Sequence, residues 1–189
     1  MDILKNNWRL YKKYRSLKSR LEKYIPKQDM PYVLAAVLLG FVNHFLYQLS
    51  GGQAFAALFC PVNESVWEHL KLLFFPLFFV TIIEYIRRRP AALPFFYRRF
   101  LAVACAMAAT VTLFYTYTGI IGRNFLLMDI LIFIFSILSA FYTYTRFCRH
   151  AKKHLSQSMV FSLWILAAMC FFAFTCFPPD IPLFFSGLN

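Results

Sequence analysis

Within nine consecutive residues the chain places Asn63, Glu64, Ser65, Trp67, Glu68, His69 and Lys71. On a helix at 100° per residue, Glu64, Glu68 and Lys71 share one stripe. His69 stands about 100° around from Glu68, so one segment offers two chemistries on neighbouring faces. The carboxylate face suits a cation or a proton relay. The imidazole face suits a metal, a base or a hydrogen bond. His44, Gln48, Arg123, Asn124 and Asp129 are the other polar residues placed to join this group. One assembly is a catalytic zinc site with His44, His69 and Glu68 or Asp129 as ligands. Three N/O ligands and one water lower that water's pKa to about 7, leaving Glu64 as general base. In the other assembly, Glu64, Glu68 and Asp129 are proton or cation sites of a transport pathway, and Arg123 is an anion contact.

Each residue also has a plain structural explanation. Asn63 reads as a helix N-cap, and acidic residues in a first turn complement the helix dipole. Lys71 can pair with Glu68 or Glu64. Trp67 suits a membrane interface as well as a binding platform. His44 alone suits a satisfied interior histidine. The coincidence in depth is what these explanations leave over, and it depends on the elements that carry the residues.

Those elements are apolar. Hydrophobic residues make up 60% of the 189, Phe alone accounts for 24, and only 15% are charged. A soluble domain carries roughly 45–50% apolar and about 25% charged residues. This composition excludes a water-soluble enzyme, a disordered tail and a nucleic-acid-binding module, despite a net charge of +12. The expected fold is an all-α integral membrane bundle of five transmembrane helices near 31–50, 64–86, 99–121, 125–147 and 158–177. Each is about 20 residues, enough for a hydrocarbon core of roughly 30 Å, and backbone in lipid must bond internally.

All Lys and Arg except Lys71 and Arg123 fall in three blocks, within 5–27, 87–99 and 146–153. The positive-inside rule then predicts a cytoplasmic N-terminus and an extracytoplasmic C-terminus in a cell membrane. His44, Glu64, Glu68, His69 and Asp129 all come to the outer half, as expected of a membrane-embedded pocket opening outward. In the inner half Glu84 reads as a partner for the neighbouring arginines.

Two accessory segments are expected. In residues 1–30, Trp8, Tyr11, Tyr14, Leu17, Leu21 and Tyr24 recur every three or four positions with basic residues between them. This predicts an amphipathic helix on the inner leaflet, ended by Pro26. The run from Leu49 to Pro61 is too apolar for an outer loop and too short to span, which predicts a re-entrant half-helix that lids the pocket. Residues 31–189 read as one transmembrane domain. Among five cysteines there is no CxxC pair, and Cys60 and Cys176 fall on one side of the membrane, where a disulfide is one option.

The strings Pro61-Val62-Asn63-Glu64-Ser65 and Trp67-Glu68-His69-Leu70-Lys71 resemble a family of small, uncharacterised bacterial multi-pass membrane proteins. Tyr117-Thr118-Gly119 and the ending Pro178-Pro179-Asp180-Ile181-Pro182-Leu183-Phe184 are similar to its other signatures. The resemblance runs from about residue 31 to the end and implies a domain of unknown function. Membrane hydrolases of the alkaline-ceramidase kind resemble the chain less, since their His-x-x-x-His pair is missing. Binding components of vitamin uptake transporters usually have six helices.

Three functions follow as expectations. The first is a metal-dependent hydrolase acting on a lipid or lipid-linked substrate. The second is a small-solute or ion transporter, or its binding component, working as a homodimer or with a membrane partner. The third is a structural membrane protein whose polar cluster staples helices.

Overall fold

A computed structural model describes residues 24–150 and 156–185. The amphipathic helix expected over 1–30 lies almost wholly outside the described residues. What is described of it ends in a 3-10 turn, Lys27–Asp29. The helices are α1 (Met30–Leu49), α2 (Ala54–Phe59), α3 (Val66–Arg88), α4 (Ala92–Ile121), α5 (Leu126–His150) and α6 (Gln157–Cys176), followed by a 3-10 turn, Pro182–Phe184. Among the described residues there is no strand. All but α2 are long and apolar enough to cross a membrane. Leu38, Phe45, Ile86, Leu131, Phe135, Ile165 and Met169 are exposed on their outer faces, as a lipid-facing surface requires.

The buried centre is α3, which packs against α1, α4, α5 and α6. Phe74 stacks on Trp164 and Phe171, and Phe75 on Phe171 and Phe172, so aromatic rings fill the space between α3 and α6. Pro76 sits inside α3 and cannot donate to the carbonyl of Leu72. At that carbonyl α1 comes closest. A Cβ added to Gly40 would lie 2.9 Å from Leu72 O and 2.4 Å from Phe133. Glycine therefore sets the α1–α3 separation.

The third span begins at Ala92 rather than near 99. The arginines there do not halt the helix, because Arg99 is buried and bonded to Glu84 of α3. Its guanidinium also lies 3.8 Å from the centre of the Tyr144 ring and 4.6 Å from that of Phe141. Arg88 bonds the other Glu84 oxygen at 2.7 Å and Asp29 at 2.6 Å. Two carboxylates and two guanidiniums thus cancel at the arginine end of the bundle, as burial demands.

Candidate functional site

The opposite end carries the polar residues of α1, α3 and α5. The local start of α3 differs from the sequence expectation. Ser65, not Asn63, is the N-cap: its hydroxyl accepts from the Glu68 N–H at 3.3 Å, while the Asn63 side chain accepts from the Ser65 N–H at 2.9 Å. Helical geometry therefore begins after Glu64. Glu64 leaves the stripe it would share with Glu68, and the two carboxylates part.

Glu68 turns inward. One oxygen, Oε2, accepts from Lys71 at 2.8 Å and from the Val62 N–H at 3.0 Å; the other lies 2.9 Å from the Thr175 hydroxyl of α6. Lys71 is fully buried and spends its remaining donors on the carbonyls of Ala57 (2.8 Å) and Cys60 (3.3 Å). This pair holds the end of α2. Asn43 completes the tether, donating to Phe59 O at 2.9 Å and accepting from the Cys60 thiol at 3.0 Å. Phe59 reaches Phe75, about 14 Å along α3 at 1.5 Å per residue. Cys60 and Cys176 are both free thiols.

Glu64 turns the other way. It is 68% exposed and lies 3.3 Å from His69 Nε2. The other imidazole nitrogen, Nδ1, faces Ser65 O at 2.9 Å. A carbonyl only accepts, so Nδ1 carries hydrogen. A carboxylate also accepts, so the Nε2–Glu64 contact is an ion pair when the imidazole is protonated. Glu64 and His69 thus form a dyad, and the imidazole holds the Glu64 carboxyl below its usual range.

The dyad stands at a cavity of about 290 Å³, formed between α1, α3, α4 and α5. His44, Glu64, His69, Asn124 and Asp129 all line it. The His44 and His69 ring centres are 5.6 Å apart. Asp129 bonds the Tyr117 hydroxyl of α4. Deeper walls are Leu72, Leu73, Phe114, Tyr115, Ile132 and Phe133.

Several expected participants stand elsewhere. Glu68 is committed to Lys71. Gln48 is exposed and does not line the cavity. Arg123 lies over the Phe125 ring at 4.6 Å. Trp67 sits in an aromatic nest with Phe171, Phe174 and Phe184. Of the two zinc ligand sets, the one with Glu68 is not assembled, because Glu68 faces away; His44, His69 and Asp129 line the cavity together. Among the described residues no three His, Cys, Asp or Glu side chains form a metal-holding group. The lid is also different: α2 packs on the far side, and Pro182 and Phe185 cover the cavity instead. Tyr115 and Thr110 were not singled out by sequence reasoning, and Tyr117 only as part of a family signature. Among so many aromatic and hydroxyl residues, only a contact such as Tyr117–Asp129 distinguishes them.

A family model described as a family of unknown function (DUF6512) matches residues 13–189. The chain belongs to that family. Family membership reaches further toward the N-terminus than the resemblance read from residue 31, taking in much of the basic segment. Neither the curated proteins nor the solved structures hold a significant match.

Proposed function

We propose that this DUF6512 protein is an integral membrane hydrolase that acts on a lipid or lipid-linked substrate at the outer leaflet. The cavity end is extracytoplasmic in this reading, and the arginine end is cytoplasmic, following the positive-inside rule. The observation that carries it is the Glu64–His69 dyad at the mouth of a cavity whose interior is mostly apolar. A deprotonated carboxylate that is open to water and held by a neighbouring imidazole is placed to accept a proton from that water. With Glu64 as proton acceptor from water, His69 holds the carboxylate in place, and His44 beside it returns a proton to the leaving group. Asp129 and Asn124 orient the substrate's polar head. The apolar walls hold the chain of a lipid that enters from the bilayer.

The described residues at the arginine end support this reading over conduction. The Glu84, Arg99, Arg88 and Asp29 cluster and the Phe-rich centre of α3 fill the space beneath the cavity. The test is turnover of a panel of ester- and amide-bearing lipids by protein in lipid nanodiscs. At least one should be hydrolysed, with Glu64→Gln and His69→Gln each slowing it about 100-fold or more, within the range for one general acid–base group. Ligand retention without turnover, or turnover indifferent to both substitutions, overturns it.

A further inference from the structure

The charge balance of the cavity points to a class of head group. Glu64 faces His69 at 3.3 Å, so that carboxylate has a partner of its own. Asp129 has only the Tyr117 hydroxyl as a side-chain hydrogen-bond partner, and among the described residues no Lys or Arg pairs with it. No Lys or Arg lines the cavity at all. Asp129 is half-buried in the first turn of α5, and the cavity sets no Lys or Arg against its carboxylate. Phe114, Tyr115, Phe133 and Phe185 contribute ring surface to the same walls. A carboxylate with aromatic faces around it is the chemistry that recognises an ammonium group, through an ion pair and cation–π attraction. A phosphate head would meet the Asp129 carboxylate with no Lys or Arg in the lining to hold it. Leu126 both lines the cavity and is 76% exposed, so the lip is apolar where an alkyl chain would leave toward lipid.

We propose that the cavity binds an amphiphile with a cationic amine head, its ammonium on Asp129 and its chain passing Leu126. This rests on the cavity being a lipid-substrate site, as proposed above, but not on the hydrolytic step.

The probes are hexadecylamine, hexadecanol and hexadecyl phosphate, titrated against the full-length protein in nanodiscs and compared with empty nanodiscs. Binding is read by native mass spectrometry. The amine is expected to bind at least tenfold more tightly than the other two. Asp129→Asn, which keeps an acceptor for Tyr117, is expected to abolish most of that preference while leaving the Tm within a few degrees. Should Asp129→Asn fail to fold, Leu126→Lys places a cation at the lip, and the amine alone should lose affinity. Equal binding of the three probes, preference for the phosphate, or a preference indifferent to both substitutions overturns the proposal. Tight amine binding with no turnover of any lipid would sustain it while removing the hydrolase reading. Turnover of phosphate-headed lipids with no amine binding would do the reverse.

Discussion

Lys71 and Glu68, one turn apart on α3, form an ion pair at 2.8 Å with side-chain exposures of 0% and 3%. Every donor of the ammonium is used, two of them on carbonyls at the end of α2. The pair thus anchors a segment far from it in sequence, and it withdraws Glu68 from the chemistry that its neighbours Glu64 and His69 share.

Removing one partner leaves the other buried and uncompensated. Lys71→Met is expected to destabilise the protein by about 3–5 kcal/mol. The double variant with Glu68→Gln should recover part of that loss, because the stranded charge is gone. Equilibrium unfolding in detergent of the wild type, both single variants and the double variant measures the coupling.

Gly40 is the second sensitive point. An added Cβ meets a ring at 2.4 Å and a backbone carbonyl at 2.9 Å, and the backbone cannot yield. Gly40→Ala should cost about 1–3 kcal/mol, typical of overpacking. Gly119 lies in α4 with open space around it, so Gly119→Ala should stabilise by about 0.5–1 kcal/mol. Thermal unfolding of the two variants side by side checks the contrast in sign.

At the arginine end Glu84 bonds both Arg88 and Arg99 and is 1% exposed. Glu84→Gln strands the buried Arg99 and should cost about 3–5 kcal/mol. Asp29→Asn removes a bond to Arg88, which keeps Glu84 and 27% exposure, so its effect should be smaller. Denaturant midpoints of the two variants give the order.

Glu64 supplies an acid dependence. Its carboxyl is held below the usual value of 4.5, first by the hydrogen bond to His69. A depressed folded pKa contributes stability that is full above the unfolded value and lost as pH falls through the folded one. The Tm should therefore drop as pH goes below about 4.5, and that part of the drop should be absent in Glu64→Gln. Because Glu64 is largely exposed, solvent screening keeps the effect small. Tm profiles of both proteins from pH 7 to pH 3 reveal it.

Much of this was legible in the residues alone. Apolar runs of spanning length have one backbone solution in lipid, so five helices and their approximate limits followed directly. The third span began early because a paired, aromatic-sandwiched Arg99 is compatible with burial, and its pairing with Glu84 is a contact between helices. The pooling of His44, Glu64, His69, Asn124 and Asp129 at one end was implied by their depth along each rod. Which of them meet was decided by tertiary structure. A cap shifted from Asn63 to Ser65 released Glu64 toward His69, and the carbonyls at the end of α2 claimed Lys71 and with it Glu68. Depth comes from rise per residue, a local property; rotation and pairing come from packing among helices, which periodicity does not encode.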